Sequence, residues 1–180
     1  VTGSGISCGT DCTETYDHGT VVALTAAPET GFVFDGWSGD CSGIGGCMVT
    51  MTANKTVSAS FILTNYTLTT EKTGTGSGVI TGTGISCGAD CTEPFTFGTV
   101  VMLTATADTG STFTGWTGCD STNANTCTAT MNTNKSVSAV FTLNSYTLTA
   151  TKAGTGSGSL TAPGLSCMGD TCTGTYNYNE

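Results

Sequence analysis

The stretch Lys135–Phe141 reads KSVSAVF, and it decides the fold class because its apolar residues recur at every second position. Val137, Ala139 and Phe141 form one face of this stretch, and smaller or outward residues alternate with them. A period of two places successive side chains on opposite faces of a β-strand. Cys127–Met131 alternates in the same way, and no segment has a helical period. We therefore expect an all-β protein.

The sequence around this strand is a copy of an earlier one. NKSVSA at 134–139 matches NKTVSA at 54–59, and the motif Ile6–Glu14 (ISCGTDCTE) returns as Ile85–Glu93 (ISCGADCTE). A looser third copy begins at Leu165. The three copies start at positions 6, 85 and 165, so the spacing between them is almost constant. A constant period of this size indicates a tandem array of one small unit.

We divide the chain into three repeats. Repeat 1 (1–63) lacks its first strands, repeat 2 (64–143) is complete, and repeat 3 (144–180) contains only the N-terminal part of the unit. Val1 aligns with Ile80, in the middle of a repeat, so we expect the chain to be part of a longer protein. The connection Ile62–Asn65 is short and has no Gly or Pro, which predicts a stiff rod of modules rather than a flexible string.

Composition excludes several classes of function. The chain has 4 Lys+Arg against 13 Asp+Glu, a net charge of −9, which would repel the phosphates of a nucleic acid. No apolar run is long enough to span a membrane. No nucleophile, base and orienting acid recur together, so we do not expect an enzyme. Ten cysteines in 180 residues indicate an exported protein in an oxidising compartment, either extracellular or on the cell surface.

Five motifs together identify a family. They are Tyr66–Thr69, Gly74–Gly78, Gly98–Thr106, Phe113–Gly118 and Met131–Phe141. With these motifs in register along essentially the whole chain, the sequence resembles the divergent InlB B-repeat family. The resemblance implies a small β-rich module, β-grasp-like or a two-layer sheet, strung in tandem in secreted and cell-surface bacterial proteins. It implies no catalytic residues.

The cysteines fall into close pairs in each repeat. Connectivity does not follow from sequence alone, but the spacing within the pairs drifts between repeats, and a local loop disulfide absorbs such drift better than a metal site does. A four-thiolate zinc site is the alternative. We predict the disulfides Cys8–Cys12, Cys41–Cys47, Cys87–Cys91, Cys119–Cys127 and Cys167–Cys172.

Aromatic residues are candidates for stacking on a ligand, although large rings are also what a small core needs. Trp37 and Trp116 lie in a repeated Phe-x-Gly-Trp motif, and we favour the core for both over a sugar platform. Tyr16, Tyr176 and Tyr178 are better candidates for binding carbohydrate. His18 aligns with Phe97 and Tyr178, so its position requires an aromatic ring rather than a base or a metal ligand.

Polar residues suggest further sites. Asn54, Asn65 and Asn134 fit the N-glycan acceptor pattern, and O-glycosylation of outward threonines is an equal alternative. We expect the Asn-Lys pairs at Lys55 and Lys135 to lie at hairpin turns, where Asn tolerates positive φ; a lysine–asparagine isopeptide bond is an alternative. The aspartates near the cysteines and tryptophans suggest turn-stabilising contacts, with calcium as the alternative and no other cofactor. They are Asp11, Asp90, Asp170, Asp35, Asp40 and Asp120.

These observations predict a structural role. We expect an adhesin-type stalk or the shaft of an extracellular filament, with copies of itself or neighbouring repeats as partners. In the filament version, Tyr146–Thr149 of one copy would fill the open sheet edge before Val1 of the next. The alternative is a tandem module that binds carbohydrates or receptors, host or environmental glycans among them, attached to a secreted enzyme.

Overall fold

The computed structural model describes residues 1–179, which form 17 β-strands and no helix. The fold is therefore all-β, as the two-residue period predicts. The chain forms two compact units. The first consists of Val1–Tyr66 together with Phe95–Thr99, and the second consists of Thr67–Pro94 together with the chain from Val100 onward.

The first unit contains two small antiparallel sheets. A three-stranded sheet has the order β1-β2-β4, with Val22 opposite Val49, and a two-stranded sheet pairs β3 with β5. Side chains of β4 alternate between the core and solvent, because Cys47 and Val49 are buried and the residues that follow each of them are exposed. The strands are β1 (Thr2–Gly3), β2 (Val21–Thr25), β3 (Phe32–Gly39), β4 (Cys47–Thr50) and β5 (Val57–Leu63).

The second unit contains a five-stranded sheet, β12-β13-β10-β7-β8, and a four-stranded sheet, β11-β14-β6-β9. In the latter, β14 and β6 run parallel, with Val137 opposite Thr70. The first two residues of β6 and the last two of β9 belong to the first unit. The strands are β6 (Asn65–Gly74), β7 (Gly78–Gly82), β8 (Ile85–Cys87), β9 (Thr92–Thr96), β10 (Val100–Ala107), β11 (Ser111–Thr117), β12 (Ser121–Asn123), β13 (Thr126–Thr130) and β14 (Lys135–Leu143).

The third repeat adds a three-stranded sheet to the second unit. Its order is β15-β17-β16, and both pairings are antiparallel. Leu148 of β15 is 50% exposed, whereas its counterpart in repeat 2, Leu68, is completely buried. The strands are β15 (Ser145–Thr151), β16 (Ser166–Met168) and β17 (Thr171–Asn177).

The core of the second unit is built from inward positions of β6, β7, β10 and β14. The inward face of β14 is the one that the alternation of KSVSAVF predicts, since all three of its apolar positions are completely buried. The Phe113 ring packs against Trp116 and Phe141 at centroid distances of 5.5 and 5.7 Å. The largest fully buried side chains here are Phe141, Leu68, Ile80, Leu103, Met131, Val101 and Val137.

The Asn-Lys pairs do not lie at hairpin turns, which corrects the prediction from sequence. β4 pairs with β2 and β5 pairs with β3, so the connection that carries Asn54 and Lys55 passes from one sheet to another. The connection before Lys135 does the same in repeat 2. Neither asparagine has positive φ; among residues 1–179 the non-glycine residues that do are Ala124 and Asn179.

Candidate functional site: staples, ion pairs and aromatic joints

Each cysteine pair forms a local disulfide. The bonds are Cys8–Cys12, Cys41–Cys47, Cys87–Cys91, Cys119–Cys127 and Cys167–Cys172, and no described cysteine is free. The thiolates of a zinc site are therefore absent from the described residues. Cys47 and Cys127 lie at the same place in the two cores, with exposures of 2% and 0%. Each of these two bonds joins the loop after the Trp-containing strand to the core.

Removing the loop disulfide of repeat 2 is expected to destabilise the protein. Its ends are 8 residues apart, which gives a chain-entropy contribution of about 2.5 kcal/mol. The double variant Cys119→Ala/Cys127→Ala should lose at least that amount in urea unfolding, because buried Cys127 also loses packing. The exposed pair in Cys8→Ala/Cys12→Ala is the control and should lose only about 2 kcal/mol. Equal losses would show that burial of Cys127 contributes nothing.

The two tryptophans of the repeated motif have different surroundings. Trp37 is 6% exposed, and its Nε1–H donates to the carbonyl oxygen of Gly45 at 2.9 Å. Trp116 is half-buried, and its Nε1 is buried without a hydrogen-bond partner among the described residues. Trp37 belongs to a core cluster with Cys47 and Val49. Its ring therefore lies in the core, which removes it as a stacking platform.

Two lysine–aspartate ion pairs brace the ends of the cysteine loops. Lys55 Nζ lies 3.0 Å from Asp40 Oδ1, and Lys135 pairs with Asp120. The second carboxylate oxygen accepts a backbone N–H, from Thr56 at 2.7 Å for Asp40 and from Thr130 at 2.6 Å for Asp120. Asp40 precedes its cysteine and Asp120 follows its cysteine, yet both reach the equivalent lysine. These are not Asx-turn contacts, because the lysine and backbone N–H partners of each aspartate lie 10 to 16 residues away in sequence.

Backbone hydrogen bonds and the contacts with lysine lower the pKa of both carboxyl groups. For Asp40 the main cause is the backbone hydrogen bond from Thr56, followed by the contact with Lys55. For Asp120 the main cause is the hydrogen bond from Lys135, followed by that from Thr130. A lowered pKa keeps the carboxylate charged, so the contact is an ion pair. The lysine–asparagine isopeptide bond considered from sequence has no support here, because both lysines are engaged by aspartates.

Acid should therefore weaken the folded state. A carboxyl whose folded pKa is depressed contributes stability that is present above its unfolded pKa, near 3.9, and is lost as the pH falls through the folded value. The urea concentration at the unfolding midpoint, measured from pH 6 to pH 2, should decrease once the pH is below about 4. The double variant Asp40→Asn/Asp120→Asn should show a smaller fall, whereas exposed Asp17→Asn should behave like the parent chain. If the midpoint of the double variant decreases as much as that of the parent chain, the acid-sensitive stability does not come from Asp40 and Asp120.

The other aspartates and the asparagines have local roles. Asp11 and Asp90 each accept the backbone N–H two residues onward, at 3.0 and 3.2 Å, as Asx contacts do. Asp170 pairs with Lys152 at 3.2 Å. All three candidate glycan acceptors, including Asn54 and Asn65, are exposed. The Oδ1 of Asn134 accepts from Thr67 N–H at 2.9 Å, so this side chain also positions the start of β6.

The first unit contains an aromatic joint, formed by Gly31, Thr64 and Phe97. The Thr64 N–H donates to the Gly31 carbonyl oxygen at 2.8 Å, and the Phe97 N–H donates to the Thr64 carbonyl oxygen at 2.8 Å. The Phe97 ring lies directly on Gly31, where a Cβ would overlap it, and Gly31 has a φ of 85°. Only glycine fits both the backbone conformation and the space. The ring of Tyr66 lies 6.4 Å from Phe97, centroid to centroid.

The second unit repeats this joint with Gly110, Asn144 and Tyr178. The Asn144 N–H donates to the Gly110 carbonyl oxygen, and the Tyr178 N–H donates to the Asn144 carbonyl oxygen, both at 2.8 Å. The Tyr178 ring covers Gly110, which has a φ of 81°. In each joint the linker residue between two repeats bonds to the repeat before it and the repeat after it.

The joint accounts for some of the predicted stacking residues. The structure explains why an aromatic ring was predicted at Phe97 and Tyr178, because each of these rings covers a glycine. His18, which occupies the equivalent position in repeat 1, is exposed. The Tyr176 hydroxyl donates to the Pro163 carbonyl oxygen at 2.8 Å, and the Tyr16 hydroxyl donates to the Ser4 carbonyl oxygen. Tyr176 and Tyr178 therefore already have partners within the fold.

The glycine of each joint was not predicted from the sequence. Gly31 and Gly110 stand at the same place in the repeats, within Glu29-Thr30-Gly31 and Asp108-Thr109-Gly110. This periodicity was visible, but nothing in a single sequence links a glycine to an aromatic ring in the following repeat. The link depends on backbone hydrogen bonds of Thr64 and Asn144. Because the side chain takes no part in these bonds, both residue types make them.

The comparison with known families agrees with this architecture. The chain matches the divergent InlB B-repeat domain over residues 1–65 and again over 66–145, which together cover most of its length. The chain belongs to this family. It is therefore a tandem repeat module of a kind associated with bacterial surface proteins, and its five disulfides fit an oxidising compartment.

Other comparisons add nothing to the family assignment. No curated protein and no solved structure matches the chain. Within the described residues no helix is long and apolar enough to cross a membrane.

Proposed function

We propose that this chain is a spacer segment of a bacterial surface protein, an adhesin-type stalk that holds another domain away from the cell. The observation that carries the proposal is the aromatic joint, which occurs twice with the same hydrogen bonds and the same glycine-to-ring contact. A linker that is bonded on both sides resists bending better than a free coil does. A stalk requires this property, whereas a flexible tether does not.

Other features support a mechanical role rather than a binding or catalytic one. A disulfide closes each of these cysteine loops, which limits how far the chain extends if a repeat is pulled open. The Trp37 ring lies in the core and Tyr176 and Tyr178 are engaged, so the carbohydrate-binding alternative has fewer free aromatic rings than the sequence suggested. We propose no catalytic activity and no cofactor for this segment.

The proposal is tested on cells that display the parent protein. Antibodies against residues 66–145 should label intact, unpermeabilised cells, and electron microscopy should place the label at a fixed distance from the envelope. Deleting a whole repeat should shorten the distance from the envelope to any distal domain and leave that domain folded. Label confined to the cell interior, or a distance that does not change with repeat number, would contradict a stalk.

A further inference from the structure

The first and last strands of repeat 2 lie side by side and run in the same direction. The chain enters the repeat through β6 and leaves it through β14, and the two strands pair in parallel over seven register positions, which begin with Leu68 opposite Lys135. A pull on the two ends of the repeat therefore draws β6 backward and β14 forward, along the strands and in opposite directions. Because the hydrogen bonds between parallel strands are evenly spaced, such a pull loads all of them together.

The buried side chains of both strands resist sliding. Leu68 and Thr70 of β6 point into the core, and so do Val137, Ala139 and Phe141 of β14. Because side chains alternate between the two faces of a strand, a slip by one residue would turn each of these inward positions outward. The two strands can therefore slide apart only if the core of the repeat opens at the same time.

Two hydrogen bonds fasten the end of β14 to the chain that follows β6. The Leu143 N–H donates to Thr75 Oγ1 at 3.2 Å, and the Gly76 N–H donates to the Phe141 carbonyl oxygen at 2.9 Å. We call these two bonds the exit latch. A pull that leaves the repeat through Leu143 loads the exit latch at once, since Leu143 is the last residue of β14.

The glycines of the motif Gly74–Gly78 allow the exit latch to form. A Cβ on Gly74 would overlap the Phe141 carbonyl oxygen, and a Cβ on Gly76 would overlap the backbone of Thr142. Gly74 also has a φ of 97°, which favours glycine. Close approach of two backbones is one of the few reasons for glycine in or beside a strand. The motif therefore has a structural task, which is to hold the chain after β6 against β14.

We propose that repeat 2 is a tension-bearing element, which keeps its fold when the chain is pulled between the start of β6 and the end of β14. The parallel pair, its buried side chains and the exit latch must give way together before the repeat can extend. This property goes beyond the spacer proposed above and does not rest on it, because a spacer resists bending whereas this element resists pulling. It suits a protein that is anchored at one end and pulled at the other.

The test is single-molecule force spectroscopy on the whole chain, pulled in two directions. Handles attached through azide-bearing residues at Asn65 and Ser145 pull along the parallel strands. Handles at Asn65 and Thr133 pull across them, because both positions lie just before the paired segments, which start with Leu68 opposite Lys135. All three attachment positions are exposed. Urea unfolding of the two labelled chains checks that they are equally stable, so that only the direction of pulling differs.

The force at which the repeat unfolds should be at least about twofold higher along the strands than across them. Pulling along the strands loads every register pair together, whereas pulling across them separates the pairs one after another. Repeats 1 and 3 lie outside the two handles and carry no force in either direction.

Thr75→Val tests the exit latch. Valine is similar in shape to threonine but cannot accept the Leu143 N–H, so the rate of unfolding at a fixed force along the strands should rise about fivefold, the usual effect of losing one hydrogen bond. The rate across the strands should not change, because the exit latch lies at the far end of the pair and is loaded last. Thr69→Val, at an exposed position of the same strand, is the matched control and should leave both rates unchanged.

Three results would overturn the proposal. The first is an unfolding force that is the same in both directions. The second is a Thr75→Val chain that unfolds along the strands no faster than the Thr69→Val chain. The third is a faster rate for Thr75→Val by the same factor in both directions, since this would show a general loss of stability. None of these results would affect the spacer, which concerns bending and is tested by the labelling of cells.

Discussion

Replacing Phe141 by alanine is expected to lower the free energy of unfolding by about 3–5 kcal/mol, the usual cost of deleting a buried phenylalanine. The ring is completely buried and packs on Phe113 at 5.7 Å. It is the last inward residue of KSVSAVF, so the variant tests the strand on which the fold depends. Urea unfolding monitored by circular dichroism provides the measurement.

Repeat 1 supplies the matched control for this variant. Phe61 occupies the same position and packs on Phe34 at 5.6 Å, but it is half-buried. Phe61→Ala should therefore lose only about 1–2 kcal/mol. Equal losses in the two variants would mean that repeat 1 is as well packed as repeat 2.

Replacing Gly31 by alanine is expected to break the aromatic joint of the first unit. The new Cβ would overlap the Phe97 ring, and Gly31 has a φ of 85°, where alanine is strained. The strain costs about 1–2 kcal/mol, and displacement of the ring adds about 1–3 kcal/mol. The amides of Thr64 and Phe97, which donate within the joint, should exchange about tenfold faster or more.

Gly19→Ala separates strain from the loss of the joint. Gly19 has nearly the same φ, 86°, but a Cβ there meets nothing within 4 Å. This variant should incur only the backbone strain and leave the exchange of the Thr64 and Phe97 amides unchanged. If both variants have the same stability and the same exchange rates, the contact between Gly31 and Phe97 does not hold the joint together.

Local sequence patterns were sufficient to predict the all-β fold class and the disulfides. Alternation fixes the inward face of β14 because burial and the two-residue period are both local properties. The disulfides are local as well, since the cysteines of each pair lie 4 to 8 residues apart. The family resemblance rested on motifs in fixed order and was confirmed over residues 1–145.

Contacts between distant segments were not predictable from one sequence. The Asn-Lys pairs were wrongly assigned to hairpins because their local signal resembles a turn, whereas the flanking strands belong to different sheets. The pairing of Lys55 with Asp40 spans 15 residues and depends on where the cysteine loop folds back. Gly31 and Phe97 lie in different repeats, and the hydrogen bonds of their joint involve the backbone, which carries no residue signature.

We propose that consecutive repeats are joined stiffly enough to act as a spacer. Small-angle X-ray scattering on this chain and on versions with one and two additional in-register copies of residues 66–145 tests it directly. We expect the longest dimension to grow by the same increment for each added repeat, and Gly31→Ala together with Gly110→Ala to reduce this increment. Growth with the square root of repeat number, as for flexibly linked beads, would show that the repeats do not form a stiff spacer.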